Sequence, residues 1–339
     1  WFRGIPFVFE VRDLWPDLPR ALGVRNPFVL GLMTLLERLA YRSADAVIGL
    51  APGIVDAVQQ RSRQGLPAEL IPNGCDLETF SPSRRGPVRL PGVGPDDFVA
   101  GFTGAHGPAN GLDAVLDAAR ELKRRGDRRV KLVFLGDGRE KDRLAGVARS
   151  EGLDNCLFLP PVSKTELGAV TASFGCGLMV LRDVPEFRHG TSPNKFFDYL
   201  SAGVPVLNNY PGWVADLIHG HRCGIVVPPG DPVAFADALQ RLAAGPQPHL
   251  GRLAHGHLVQ APLGQCEHHV ARAVVRHAQH RRAGREHLAR LRRHRHHHAR
   301  CIGTQHRVLG LVALQGHLRA RLQQGGIGRT QRGLAALDL

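Results

Sequence analysis

The sequence predicts an α/β protein with two Rossmann-like domains, the first of them truncated, followed by an irregular basic tail. Three observations lead to this prediction. Short apolar runs alternate with helical patterns up to residue 245, a Pro- and Gly-rich stretch interrupts them, and the composition changes abruptly at residue 246. Apolar strands that alternate with helices are typical of parallel sheets covered on both faces.

The predicted elements follow one another in a regular order. Runs rich in Val, Ile, Leu and Phe predict nine strands, at 6–11, 45–50, 68–72, 97–102, 129–136, 155–160, 176–181, 204–209 and 224–228. Helical patterns between them predict seven helices, at 27–42, 52–63, 111–125, 138–150, 163–171, 193–202 and 231–243. Ligands of open α/β sheets bind beyond the carboxyl ends of the strands, so the loops that follow strands are where a site is expected.

A domain boundary is predicted at residues 81–97, SPSRRGPVRLPGVGPDD, which have the composition of a linker. We divide the chain into a partial domain (1–85), a linker (86–96), a complete domain (97–245) and the tail (246–339). The first part is too short for a complete Rossmann-like domain and starts at Trp1 in a strand-like run. We therefore expect its first strands to be missing.

The positive charge of the chain belongs to the tail. The net charge is +14, but residues 1–245 hold 28 Lys and Arg against 27 Asp and Glu, whereas the tail holds 16 Arg against three acids. A net charge of +1 before residue 246 argues against a nucleic-acid partner for the organised part. Six cysteines without CxxC or metal-like spacing, no apolar run of about 20 residues and no visible signal peptide predict a cytoplasmic protein.

The tail has the composition of a segment that cannot form a core. It has no Phe, Tyr, Trp, Lys, Asn or Met, and it carries 14 of the 18 histidines. Without aromatic residues too little area is buried to offset chain entropy, so we expect disorder. Two functional alternatives are a nucleic-acid-binding arm and a metal site at His294, His296, His297 and His298. We favour a third hypothesis, an out-of-frame reading of a GC-rich gene, which sequencing across codons 240–255 tests.

A loop with the sequence RHGTSPNKFFDYLSAG predicts a phosphate site. Pro193 suits the first turn of a helix, Thr191 and Ser192 can cap it, and Gly190 allows close backbone approach. The N–H groups of such a helix start, including that of Asn194, favour a phosphate.

Two charged side chains of the same helix extend this prediction. Lys195 adds a full positive charge in the first turn, and Asp198 lies three residues further on, where it can accept hydrogen bonds from a ribose diol. Phosphates at the helix tip and a ribose one turn below describe a nucleotide. The alternative is an exposed ion pair between Lys195 and Asp198, worth about 0.2–0.5 kcal/mol.

A second glycine loop strengthens the nucleotide prediction. The stretch GFTGAHGPANG places Gly104 and Gly107 after strand 97–102, just before a helix expected to begin near Gly111, with His106 and Asn110 as polar side chains. The spacing is not that of a dinucleotide fingerprint, and the loop alone would be a weak signal. Two such loops at the carboxyl end of one sheet indicate a diphosphate site.

Five motifs in order resemble family-4 glycosyltransferases of the GT-B fold, nearest to bacterial enzymes of capsule, exopolysaccharide or O-antigen synthesis. They are IPNGCDLETFSP, GAHGPANGLDAVLDAA, LVFLGDGREKDRL, LFLPPVSKTEL and GTSPNKFFDYLSAGVPVLNNYPGWVADLI. The resemblance covers residues 1 to about 245. It implies transfer of a hexosyl or N-acetylhexosaminyl group from a nucleotide-sugar to a glycan or polyprenyl-linked acceptor, with retention and without a cofactor or metal. The donor then binds the second domain and the acceptor the first.

Residue by residue, the resemblance gives Asp198 the place of the ribose-binding glutamate in E-x7-E. The first glutamate of that motif falls at Gly190, so the group that meets the donor sugar stays open; Glu186 is near but out of register. Lys195 and the N–H groups of both loops then neutralise the diphosphate, with Lys195 as a catalytic group. Asp13, at the end of strand 6–11, is a candidate for touching the acceptor; the alternative is a structural pair with Arg12.

The apolar helix 26–42 has two alternative interpretations. It can cover a sheet, or it can contact the inner face of the plasma membrane, where a polyprenyl-linked acceptor resides. Two rival functions also stay open. A GT-B sugar-nucleotide 2-epimerase would share donor binding, and a non-enzymatic protein could bind polyanions through the basic tail.

Overall fold

The computed structural model describes residues 7–80 and 88–245. The described strands are β1 (Val8–Val11), β2 (Ala46–Gly49), β3 (Ala68–Leu70), β4 (Phe98–Thr103), β5 (Val130–Leu135), β6 (Cys156–Leu159), β7 (Cys176–Met179), β8 (Val206–Asn208) and β9 (Gly224–Val226). The described α-helices are α1 (Asp17–Ala21), α2 (Pro27–Ser43), α3 (Pro52–Arg61), α4 (Leu77–Phe80), α5 (Asp113–Arg124), α6 (Lys141–Ser150), α7 (Lys164–Thr171), α8 (Pro185–Gly190), α9 (Asn194–Ser201), α10 (Trp213–His221) and α11 (Pro232–Ala243).

The first sheet has three parallel strands in the order β1-β2-β3, connected by α2 and α3. Val8 pairs with Ala46, and Val47 pairs with Ala68. Its core is formed by β2, α3 and the end of α2, where Val47, Ile54 and Tyr41 are almost completely buried. This sheet is the described part of the predicted first domain.

The second sheet has six parallel strands in the order β6-β5-β4-β7-β8-β9. This is the doubly wound arrangement, in which the chain builds outward from β4 in one direction and then from β7 in the other. Apolar clusters cover both faces, one beneath α5 and α11 and the other beneath α9 and α10. The α/β class with parallel sheets is confirmed, and β4 and β7 flank the point where the strand order reverses.

All nine predicted strands and all seven predicted helices are present within a few residues of their expected bounds. The structure also contains elements that the sequence did not predict: the helices α1, α4, α8 and α10 and a 3₁₀ turn at Pro108–Asn110. Three of these helices have at most six residues, which is too short for a helical period to show. The fourth, α10, follows Gly212 without a capping side chain. The predicted tail, its disorder and its histidine cluster lie outside the described residues.

Candidate active site

The two predicted loops meet at the switch point of the second sheet. One follows β4 and runs through Gly104 to Gly111; the other follows β7 and leads through α8 into α9. Because β4 and β7 are adjacent and parallel, their carboxyl ends open into the same crevice, the usual ligand position in such sheets. Segments about 85 residues apart in the sequence thus form one site.

Lys195 joins the two loops. It lies in the first turn of α9, and its ammonium donates to Asn110 Oδ1 at 3.2 Å and lies 3.9 Å from the centre of the Phe102 ring. A Cβ built on Gly104 would be 3.7 Å from Lys195 Nζ. The residue as a whole is half-buried, but its ammonium end is enclosed by these groups, and burial lowers the pKa of Lys195 to about 7.

No carboxylate pairs with Lys195 within residues 7–80 and 88–245. The alternative of a surface pair between Lys195 and Asp198 is therefore wrong. The two side chains leave α9 toward different neighbours, Lys195 toward the loop after β4 and Asp198 toward residues 75–76. A buried ammonium without a counter-ion is suited to an anion.

The loop after β4 offers fewer backbone donors than the sequence predicted. The N–H groups of Gly104 and His106 donate to Leu135 O at 3.0 Å and Asp137 O at 2.7 Å, because this loop continues alongside the end of β5. Within residues 7–80 and 88–245 the N–H groups of Ala105 and Gly107 donate to no backbone acceptor, so they are among the loop donors available to a ligand. A Cβ at Gly107 would meet no atom within 4 Å, so open space lies beside it.

Asn110 holds this loop in shape. Its amide nitrogen donates to Ala105 O at 2.7 Å while its oxygen accepts from Lys195, so one side chain braces the loop and orients the ammonium. The helix expected near Gly111 begins at Asp113, after the 3₁₀ turn and after Gly111 in a left-handed conformation with φ +55°. Asn110 is therefore a positioning residue in the structure.

The predicted role of the His106 side chain is corrected. The imidazole is completely buried, with the rings of Phe102, Phe134 and Phe158 at centroid distances of 5.9–6.4 Å. Burial, followed by the nearby charge of Lys141, lowers the pKa of His106, which favours the neutral ring. In this position the side chain is part of the core and cannot contact a ligand in the crevice.

The capping roles predicted for Thr191 and Ser192 are also corrected. The residue before α9 is Pro193, and no side chain caps the helix. Thr191 Oγ1 donates to Phe187 O at 3.0 Å, and Ser192 Oγ accepts from the N–H of Asn73 at 2.9 Å. Ser192 O also accepts from the Asn73 side chain. These bonds tie the loop to α8 and to the segment after β3.

Asn73 and Trp213 were not predicted as parts of the site. Trp213 Nε1 donates to Thr191 O, and Asn73 bonds twice to Ser192. The motif IPNG, which contains Asn73, was a signal that could have identified one of them. Both residues fix the backbone that leads into α9.

Asp198 lies one turn beyond Lys195, half-buried beside residues 75–76. Burial raises the pKa of Asp198 to about 7, with the charges of Lys164 and Asp76 as opposing smaller influences. Among the other predicted residues, Asn194 is exposed at the start of α9, and Gly190 is the last residue of α8. A Cβ on Gly190 would lie 3.9 Å from Ile54 Cγ1, so Gly190 faces the first domain.

A cavity of about 250 Å³ lies between the segment after β1 and helix α8. Its lining residues are Leu14, Asp17, Leu18, Pro185, Glu186, Phe187 and Gly190. Glu186 Oε2 is buried there without a hydrogen-bond partner. The cavity thus lies between residues of the first domain and the helix that leads into the second loop.

Asp13 directly precedes the cavity residue Leu14. The residue is exposed as a whole, but partial burial of its carboxyl raises the pKa of Asp13. Arg12 donates to Glu10 Oε1 at 2.8 Å, so the predicted alternative of a pair between Arg12 and Asp13 is not what the structure shows. Within the described ranges no group of three or more His, Cys, Asp or Glu side chains is arranged to hold a metal ion.

Two family models match the chain. Residues 97–244 match a model described as "Glycosyl transferases group 1", and residues 1–74 match one described as "Glycosyl transferase 4-like domain". Among curated relatives, a D-inositol 3-phosphate glycosyltransferase of Nocardioides sp. is 31% identical over 221 residues, 59% of this chain and 46% of the relative. A GDP-mannose-dependent alpha-mannosyltransferase of Mycobacterium tuberculosis is 28% identical over 230 residues, 67% of this chain and 55% of the relative.

The chain thus spans about half the length of the curated relatives it matches. Among solved structures, HepE of Anabaena in complex with UDP and glucose matches with a TM-score of 0.59 and 17% identity. The match covers 80% of this chain and 71% of HepE. At this identity the likeness shows the fold, and the predicted GT-B class is confirmed.

Proposed function

We propose that this chain, which carries glycosyltransferase domains in both of its described parts, transfers a sugar from a nucleotide-sugar donor to an acceptor. The observation that carries the proposal is the Lys195 ammonium, held without a carboxylate partner between two loops at the switch point of the second sheet. The name of the solved HepE complex, which contains UDP, supports a nucleotide-sugar as donor.

The diphosphate of the donor would lie against Lys195, the N–H groups of Ala105 and Gly107, and the first N–H groups of α9. Breaking the sugar–phosphate bond leaves negative charge on the diphosphate. Groups placed there stabilise the transition state more than the ground state. In a retaining reaction the acceptor hydroxyl attacks from the side of the leaving group, and the diphosphate takes its proton. Lys195 is then the catalytic group, and no cofactor is required.

The nucleoside would lie along the next turn of α9. Asp198 accepts hydrogen bonds from the ribose diol best when it is ionised, and its position on α9, one turn beyond Lys195, supports this role. Since Gly190 carries no side chain, we assign the donor sugar to the cavity beside α8, where the unpartnered Oε2 of Glu186 can accept from sugar hydroxyls. Asp13 is the proposed acceptor contact at the same junction.

We propose a lipid-linked glycan acceptor in cell-surface polysaccharide synthesis, on the cytoplasmic side of the membrane. The curated relatives are named for an inositol phosphate and for mannosyl transfer, so a small phosphorylated acceptor is the alternative. A sugar-nucleotide 2-epimerase would bind the same donor. The two activities are distinguished by adding acceptor, because a transferase releases nucleoside diphosphate only when an acceptor is present.

A thermal-shift screen of the full chain against UDP-, GDP- and dTDP-sugars tests donor binding. A ligand at 100 times its Kd stabilises the folded state by about 2.7 kcal/mol, a readily measured shift in Tm. We expect one nucleotide class to stabilise the chain, and Lys195→Met to abolish that shift. The matched control is Lys123→Met, which removes an exposed ammonium at the end of α5 that donates to Glu151 O.

No shift with any nucleotide-sugar, or an equal shift in the wild type and Lys195→Met, would overturn the assignment. In a turnover assay, loss of one charged donor at the leaving group is expected to lower kcat by about 10²-fold. A normal kcat in Lys195→Met would remove Lys195 from the catalytic role even if donor binding persists.

A further inference from the structure

The cavity between the segment after β1 and helix α8 has an acidic lining. Among its described lining residues the two charged ones are Asp17, from the first domain, and Glu186, from the second, and the others are apolar residues or glycine. A carboxylate is costly to bury among apolar groups unless a hydrogen-bond donor or a cation compensates it. The ligand that the cavity favours therefore depends on what compensates each of these two acids.

Asp17 already has a cation as partner. Arg61 of α3 donates to Asp17 Oδ2, and it also donates to Glu37 Oε1 at 3.3 Å and to the carbonyl oxygen of Trp15 at 3.3 Å. All of these acceptors belong to the first domain, so the guanidinium is held away from a ligand by its own contacts. Asp17 is therefore one half of an ion pair within its domain, and this pairing offsets its charge toward the cavity.

Glu186 differs from Asp17 in this respect. Its Oε2 is buried and, within residues 7–80 and 88–245, has no hydrogen-bond partner. The arginine of the same helix, Arg188, pairs instead with Asp183 at 3.0 Å. A buried oxygen that accepts no hydrogen bond loses free energy relative to water, and a ligand that donates to it restores that bond. Glu186 is therefore the acid whose bonding capacity is left to a group inside the cavity.

We propose that this cavity selects the donor sugar by charge, admitting sugars that carry hydroxyl or amino groups and excluding uronic acids. A hydroxyl or an ammonium donates a hydrogen bond to Glu186 Oε2, and the ammonium also brings an opposite charge. The carboxylate of a uronic acid has no proton to donate and places a second negative charge beside the first. The inference rests on the proposed function for the position of the donor sugar, and it adds the class of sugar.

Titration calorimetry of the full chain with three donors that share one base tests this. The donors are UDP-glucose, UDP-glucosamine with its free amine, and UDP-glucuronate, and UDP gives the affinity without a sugar. The corresponding GDP or dTDP compounds are used if the thermal-shift screen selects another base. We expect the uronate to bind about tenfold more weakly than the neutral sugar, and the amino sugar at least as tightly as the neutral one.

Two substitutions at residue 186 assign the selection to one carboxylate. Glu186→Gln has nearly the same shape without the charge, so the affinity for the uronate should rise to within about twofold of that for the neutral sugar. Glu186→Lys reverses the charge and should make the uronate the preferred donor. The matched control is Asp142→Asn, which removes an exposed carboxylate from α6, a helix that packs beside the edge strand β6. It should leave the order of the three donors unchanged.

Equal affinities of the wild type for the three donors would overturn the proposal, and so would tighter binding of the uronate. Discrimination that persists unchanged in Glu186→Gln would overturn it as well, because another group would then be responsible. Circular dichroism and the affinity for UDP confirm that each variant is folded. Binding of the nucleoside diphosphate without discrimination among sugars refutes this inference alone, whereas absence of any nucleotide binding refutes the proposed function and this inference with it.

Discussion

Lys195 and Asp198 have opposite charges, and burial acts against the charged form of each. The pKa of Lys195 is lowered to about 7 and that of Asp198 is raised to about 7, in both cases chiefly by desolvation. Neither has the other as partner, so burial destabilises the charged form of each. Under the proposed function, the donor nucleotide offers a diphosphate to the ammonium and a ribose diol to the carboxylate. Binding of such a ligand is therefore expected to stabilise the charged forms of both side chains.

A pH dependence of stability follows from these two pKa values. Between about pH 4 and 7 the folded protein holds a proton on Asp198 that the unfolded chain has lost, so the free energy of unfolding falls as pH rises. Between about pH 7 and 10 the unfolded chain holds a proton that Lys195 has lost, so the free energy of unfolding rises with pH. Each slope approaches at most about 1.4 kcal/mol per pH unit.

Denaturant unfolding at several pH values checks this. Asp198→Asn is expected to remove the fall below pH 7, and Lys195→Met the rise above it, each without altering the other limb. Other titrating groups are common to all three proteins and cancel in the difference. Variant curves that run parallel to the wild type across the whole range would contradict both pKa shifts.

At the scale of elements, close backbone contacts between neighbouring loops place the donors. Gly136, at the end of β5, lies directly behind the loop after β4, and a Cβ on it would come within 2.0 Å of Gly104 O. Its φ of +144° is itself unfavourable for any other residue. Gly104 in turn approaches the ammonium of Lys195. Gly136 and Gly104 together thus set the distance between the end of β5 and the proposed phosphate site.

Gly136→Ala is expected to displace the Gly104 loop and weaken nucleotide binding as well as stability. Gly126→Ala is the matched control, because Gly126 also has positive φ, +71°, but a Cβ there meets nothing within 4 Å. The control should lose about 1–2 kcal/mol from backbone strain alone and keep its nucleotide affinity. Titration calorimetry and denaturant unfolding of both variants measure the two effects, and equal losses of affinity would refute the role of Gly136.

For the whole molecule, the two described sheets meet around the second loop. Asn73, after the first sheet, bonds to Ser192, and Trp213 bonds to Thr191 while packing against the core of the first sheet. The loop that carries the proposed phosphate donors is therefore braced from both domains. A substitution near Asn73 in the first domain is therefore expected to shift the position of the first residues of α9.

The uneven charge of the chain predicts that its two regions bind different anions. Residues 1–245 have a net charge of +1 and residues 246–339 a net charge of +13. Truncation after residue 245 is expected to abolish binding to heparin, together with its steep salt dependence, and to leave the nucleotide thermal shift intact. Heparin chromatography and thermal shift of the two forms measure this; heparin binding retained by the truncated form would contradict the assignment of the charge effect to the tail.

The sequence alone predicted the elements with periods or apolar runs long enough to recognise: nine strands, seven helices and both glycine loops. These features are local, because hydrophobic period and turn residues are fixed by neighbours along the chain. It could not predict the short helix α8, since six residues after Pro185 show no period. It also could not show that the His106 side chain enters an aromatic cluster, because a histidine in a loop motif looks the same whether it faces a ligand or a core.

The order of strands was decided by tertiary structure. Only the pairing of β4 with β7 brings Lys195 to Asn110 across 85 residues, and only the continuation of the loop beside β5 withdraws the N–H groups of Gly104 and His106 from a ligand. Sequence patterns record which residues are apolar or flexible, whereas distance between remote segments depends on how the sheet is ordered. For that reason the sequence could predict the kind of site that we propose, whereas only the fold shows which N–H groups are left to serve it.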